Sequence, residues 1–167
     1  MSLLEIRDLN VSFRTKASPI KVVSNLSLDI KESEVFGLVG ESGCGKSLTA
    51  LSIMGILPPN AYAEGLINFT GKDLLMLDRE SLRRLRGREI AMIFQEPMTS
   101  LNPVLTIGYQ ISEVMTTHLG LSKKDAFDKA VDLLRDVKIP SPEIRVKEYP
   151  HQMSGGMRQR VMIAMAV

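Results

Sequence analysis

The chain has 167 residues, 44% hydrophobic and 24% charged, a globular composition that excludes wholesale disorder. Its 21 lysines and arginines nearly balance 19 aspartates and glutamates, so the net charge of +2 gives no global reason to bind nucleic acid or an anionic membrane. No apolar run approaches the roughly 20 residues of a membrane-spanning helix, and Glu5, Arg7 and Asp8 interrupt any signal-peptide core, which predicts a cytoplasmic protein. The one cysteine, Cys44, excludes an internal disulfide and a cysteine metal cluster.

In chain order, Leu3 to Leu9 alternates loosely and reads as a strand that Val11 to Phe13 continues. Thr15 to Pro19 is loop, and Val22 to Ile30 alternates as a half-buried strand. Val35 to Val39 is a continuous apolar run ending in Gly40, the pattern of a fully buried strand running into a tight turn. Lys46 to Leu57 reads as a helix ended by Pro58 and Pro59, and Gly65 to Thr70 as another strand. Asp78 caps a short helix that Gly87 terminates, and Ile90 to Phe94 is a second buried strand. Residues 97–103, with Pro97, Ser100, Asn102 and Pro103, are loop, and residues 107–118 helix. Ser122 and Asp125 at capping-box spacing open a helix whose Phe127, Ala130, Val131, Leu134 and Val137 make one apolar stripe. Ser154-Gly155-Gly156 begins a last helix that reaches Val167 without a stop signal.

Residues 40–47 carry the chemistry: Gly40-Glu41-Ser42-Gly43-Cys44-Gly45-Lys46-Ser47, a G-x-x-x-x-G-K-S phosphate-binding loop between a strand and a helix. The glycines allow backbone angles closed to other residues, so successive N–H groups can face phosphate oxygens. The helix N-terminus adds partial positive charge, Lys46 a point charge and Ser47 a hydroxyl ligand for Mg²⁺. The binding stretch runs on to Leu48.

Three motifs in this order resemble the ATP-binding domain of an ABC transporter: the phosphate loop, Gln95 after a buried strand, and Ser154-Gly155-Gly156-Met157 before a helix. The narrower resemblance is to the ATP-binding subunits of bacterial dipeptide and oligopeptide importers, carried by Phe94 to Pro103 and Tyr149 to Arg160. It implies an α/β P-loop NTPase of the ABC type: an ATP-binding core over 1–94, a Q-loop and helical subdomain over 95–160, and a helix returning to the core over 161–167. It implies that Gln95 reaches Mg²⁺ and the attacking water. Ser154, Gly155, Gly156 and Met157 would bind the γ-phosphate of ATP held by a second ABC ATPase subunit. Phe13 would stack on adenine or, alternatively, serve as a core residue at a strand end.

Met157 stands where the commonest signature has Gln, a departure that the peptide-importer subgroup tolerates. The resemblance also implies that the Walker B aspartate, the catalytic glutamate and the switch histidine lie beyond Val167. His118 and His151 precede the signature helix and are not that histidine. The strands flanking Val35–Val39 and Ile90–Phe94 would likewise come from beyond Val167.

The resemblance implies an ATP- and Mg²⁺-dependent subunit on the cytoplasmic face of the membrane. Transmembrane permease subunits would contact the region after Gln95, and an extracytoplasmic solute-binding protein would act indirectly. The alternatives are a non-transport ABC ATPase acting on nucleic acid or ribosomes, and a nucleotide-binding fragment without turnover. Arg79, Arg83, Arg84, Arg86 and Arg88 are interleaved with Glu80 and Glu89 and lack aromatics to stack bases, so they read as a solvated helix face. The Phe127 stripe reads as core, and Cys44 as a small loop residue.

Overall fold

The computed structural model describes residues 2–95 and 100–167. The chain divides into two compact units, Met1–Arg86 and Gly87–Val167, with the break ahead of the boundary drawn at residue 94 from the sequence. Of the loop expected at 97–103, residues 97–99 fall outside the described residues.

In the first unit β1 (Ser2–Phe13), β2 (Ile20–Lys31), β3 (Ala61–Phe69) and β4 (Lys72–Asp73) form an antiparallel sheet in the order β2-β1-β3-β4. The apolar residues of β1 change phase midway: Leu4 and Ile6 are buried, then Leu9 and Val11. In an uninterrupted strand these two pairs would face opposite sides. A bulge at Asp8, with φ 47°, shifts the phase by one residue, and the register shifts on both flanks. The neighbouring strands follow it, with Asn25 at φ 49° and Gly65 at φ 116°. Asn10 fixes the bulge, donating through Nδ2 to the Asp8 carbonyl (2.7 Å) and accepting the Asn25 N–H at Oδ1 (3.1 Å). Ser27 Oγ accepts the Asp8 N–H at 2.9 Å.

Helix α1 (Lys46–Met54) packs against β1 and buries Thr49, Ser52 and Met54. The two buried hydroxyls bond the preceding turn, Thr49 to the Gly45 carbonyl and Ser52 to that of Leu48. The helix ends at Met54, short of the Pro58-Pro59 stop expected from the sequence. Gly55 at φ 62° closes it, its N–H reaching the Ser52 carbonyl and the Ile56 N–H that of Leu51.

Helix α2 (Arg79–Leu85) is capped by Asp78, whose Oδ1 accepts the Ser81 N–H at 2.8 Å. Three of the five arginines of the run bond within the first unit. Arg83 and Arg84 donate to Glu80, and Arg86 donates to the carbonyls of Met54 (2.8 Å) and Gly55 (3.3 Å) at the end of α1. The hydrogen bonds from Arg83 are the largest cause holding the Glu80 carboxyl down to about 2.

The second unit contains α3 (Ile107–His118), α4 (Lys123–Asp136), α5 (Pro142–Arg145), a single 3-10 turn (Pro150–Gln152) and α6 (Gly155–Ala166). Ile107, Ile111 and Met115 of α3, Ala126, Ala130 and Leu134 of α4, and Val161, Met162 and Ala164 of α6 form one core. Phe127, Val131 and Val137 pack against it, so the stripe is core. Ser122 caps α4 as its spacing to Asp125 predicts, accepting the Asp125 N–H at 3.2 Å. The first N–H groups of α3 are satisfied by the carbonyls of Glu148 and Val146.

Two expectations fail. Val35–Val39 is not a strand; Val35 is fully exposed and Val39 is 91% exposed. Of Ile90–Phe94 only Ile90 makes a bridge, and Ile93 and Phe94 are exposed. A buried parallel strand takes its backbone hydrogen bonds from neighbours on both edges, and among the described residues no strand is paired with either run.

Gly65→Ala would place a Cβ 2.6 Å from the Asp8 carbonyl oxygen at a φ closed to alanine. A loss of about 2 kcal/mol or more in unfolding free energy is expected by urea titration. Because Glu80 is held low in the folded chain, its contribution is complete above the ordinary carboxylate range and fades as pH falls through about 2. The difference in urea midpoint between the parent and Glu80→Gln should shrink over that window and vanish at its acid end.

Candidate functional site

Residues 40–48 come together as one loop leading into one helix. Gly43 and Gly45 take φ 84° and 95°, the left-handed angles that turn successive N–H groups to one side of the loop. Gly45 is buried on β2, where a Cβ would come within 2.6 Å of Val23 Cγ2. Absence of a side chain therefore lets the loop rest on the sheet. Gly40 is exposed, and a Cβ there would meet the side chain of exposed Cys44, its Sγ at 2.6 Å.

Gly45 is the N-cap of α1 and supplies no side-chain acceptor, and the first turn holds no acidic residue. The first intrahelical bond runs from the Thr49 N–H to the Gly45 carbonyl at 2.9 Å. The N–H groups of Lys46, Ser47 and Leu48 precede that bond and present the positive end of the helix dipole. Lys46 Nζ donates to the carbonyls of Gly40 (2.7 Å) and Glu41 (2.6 Å), which draws its charge over the loop. Ser47 is exposed beside it. Cys44 is exposed, and its Sγ lies 3.5 Å from Lys46 Nζ.

Phe13 ends β1 half-buried, paired with Ile20 on β2 and Ala61 on β3. Val11 faces Val23 across the β1–β2 ladder, and Val23 is the residue on which Gly45 rests. Val11 and Phe13 lie two apart on one strand, so Phe13 shares the face that carries the loop.

In the second unit Gln95 is exposed in a bend. Ser154 is the N-cap of α6, its Oγ accepting the Met157 N–H at 3.3 Å. The carbonyl before it, that of Met153, takes two hydrogen bonds from the Arg158 guanidinium, at 3.0 Å and 2.7 Å. Gly155 and Gly156 are exposed, and a Cβ on either would meet nothing within 4 Å. Glycine in a helix costs about 1 kcal/mol against alanine. Among the described residues no packing contact requires two glycines in succession here.

Sequence reading missed two features of this region: the Arg158 clamp on Met153 and the buried amide of Gln110. The second had a signal, a glutamine on the apolar face that Ile107 and Ile111 define on α3.

The family model described as ABC transporter matches residues 23–167. The dipeptide transport ATP-binding protein of Haemophilus influenzae is 50% identical over 100% of this chain and 51% of its own length. The oligopeptide transport ATP-binding protein of Salmonella typhimurium is 48% identical over 99% of this chain and 49% of its own. The chain thus spans about half the length of the curated relatives it matches. Among solved structures, a dimeric ATP-binding cassette in a post-hydrolysis state with ADP and Pi superposes with a TM-score of 0.86 at 25% identity, covering 98% of this chain and 68% of that one.

Replacing Gly155 or Gly156 by alanine should leave the chain folded and raise its stability by up to about 1 kcal/mol, read by urea titration. A loss of stability would mean that the two glycines serve internal packing after all.

Proposed function

The chain belongs to the ABC transporter family, and on that premise we propose that it forms the ATP-binding part of an importer for di- or oligopeptides or a related small solute. The carrying observation is the uncapped, acid-free N-terminus of α1, entered through left-handed Gly43 and Gly45 with Lys46 drawn over the loop. That arrangement suits a polyphosphate, since N–H dipoles and one ammonium converge where anionic oxygens would lie. The solute class is supported by relatives that are dipeptide and oligopeptide transport proteins.

In this reading Gly40, Glu41, Ser42, Gly43, Cys44, Gly45, Lys46, Ser47 and Leu48 bind the ATP phosphates, and Phe13 stacks on the adenine. The exposed hydroxyl of Ser47, beside Lys46 at the head of α1, fits a ligand to Mg²⁺, and Gln95 is the second protein group proposed to hold it. When bound, the ion neutralises charge on the phosphate oxygens. Ser154, Gly155, Gly156 and Met157 contact the γ-phosphate of nucleotide held by a second ATPase subunit, identical or homologous. The open space over both glycines supports that assignment, as does the dimeric state of the solved cassette.

In this reading the ATP-binding core spans 1–94 and the helical subdomain 95–160, returning at 161–167, a functional division that lies eight residues past the break between the compact units at Arg86. The segment after Gln95 meets the transmembrane subunits, and a solute-binding protein acts through them. No helix among the described residues is long and apolar enough to cross a membrane. Attachment at the cytoplasmic face through partner subunits agrees with that.

Equilibrium binding of a fluorescent ATP analogue should be Mg²⁺-dependent and fall roughly 100-fold in Lys46→Ala, the loss of a charge-assisted phosphate contact of about 3 kcal/mol. Undiminished binding in that variant would remove the phosphate loop from the reading. The protein should co-purify with membrane subunits, and co-purification with nucleic acid instead would favour a non-transport member of the family.

A further inference from the structure

Gln110 lies in α3, 5% exposed, at a position flanked by the core residues Ile107 and Ile111. Its amide makes three bonds to main chain outside the helix. Oε1 accepts the Asn102 N–H at 2.9 Å, and Nε2 donates to the carbonyls of Asn102 and Leu105, each at 3.0 Å. The side chain thus pairs with both backbone groups of Asn102, as a neighbouring strand would. Turning the amide over would set N–H against N–H and carbonyl against carbonyl, so its partners fix its orientation.

The held segment is a short turn with its own bonds. Asn102 Oδ1 accepts the Val104 N–H at 3.1 Å, and the Asn102 carbonyl accepts the Leu105 N–H at 3.3 Å. Leu101 anchors one side in the core, while Val104 at the tip is 75% exposed. Pro103 lies between Asn102 and Val104 and fixes its own φ. The result is a stiff turn that carries an apolar side chain into solvent, which costs ordering entropy without burying that side chain.

We propose that Gln110 is a positioning residue: its buried amide holds the Asn102–Leu105 turn in the shape that presents Val104 to a transmembrane subunit. This rests on the reading that the segment after Gln95 meets such subunits. Gln110 touches neither nucleotide nor metal in that reading, so its replacement should separate turnover from its stimulation by the partner.

The test has two arms. In this chain, amide hydrogen exchange should find the Asn102 N–H protected, and Gln110→Met should speed its exchange roughly tenfold or more while the α4 amides keep their rates. An unprotected Asn102 amide in the parent chain, which requires no variant to fold, overturns the hold. In the full-length protein assembled with its membrane subunits, Gln110→Met and Val104→Glu should each cut stimulated ATP turnover roughly fivefold or more, with basal turnover unchanged. If Val104→Glu abolishes stimulation and Gln110→Met does not, the positioning role is wrong. If Val104→Glu leaves stimulation intact, the docking reading is wrong, and the presentation role falls with it.

Discussion

The phosphate loop depends on one missing side chain. Gly45 lies on Val23 with no room for a Cβ, and at φ 95° it turns the chain into α1. The contact joins β2 to the head of the helix, so the direction in which three helix N–H groups point is set by the sheet. That makes the proposed anion site a property of the fold as well as of the loop sequence: the glycines allow the shape, and Val23 with its neighbours determines where the loop sits. The bulge through Asp8, Asn25 and Gly65 serves the same end. It brings Leu9, Val11 and Val23 to the buried side, and Val11 is followed two residues later by Phe13.

Much of this was legible in the residues because the local rules are strict. A G-x-x-x-x-G-K-S run needs a glycine turn into a helix start, and Ser122 three residues before Asp125 needs a capped helix start. The Phe127 stripe read as core because its period matches a helix. Other features were present in the sequence as irregularities. The loose alternation of Leu3 to Leu9 was the trace of the Asp8 bulge, and Gln110 on an apolar face was the trace of a side chain bonding to main chain elsewhere. Neither can be interpreted without knowing which strand or turn lies opposite.

The failures were of another kind. Val35–Val39 and Ile90–Phe94 have the composition of buried strands, but composition does not supply edge partners. A strand is a relation between segments, and its hydrogen bonds belong to its neighbours as much as to itself. The end of α1 taught a smaller lesson. Two prolines marked a region where a helix cannot continue, while Gly55 had already given the chain a cheaper place to stop.

Arg86 gives α1 a second fixed point. Its guanidinium grips the carbonyls of Met54 and Gly55, at the opposite end of the helix from Gly45. The helix is thus seated on Val23 at its head and hydrogen-bonded to Arg86 at its tail. The same guanidinium offsets the negative end of the helix dipole. One arginine, the residue that closes α2, thereby ties that helix to the C-terminal end of α1.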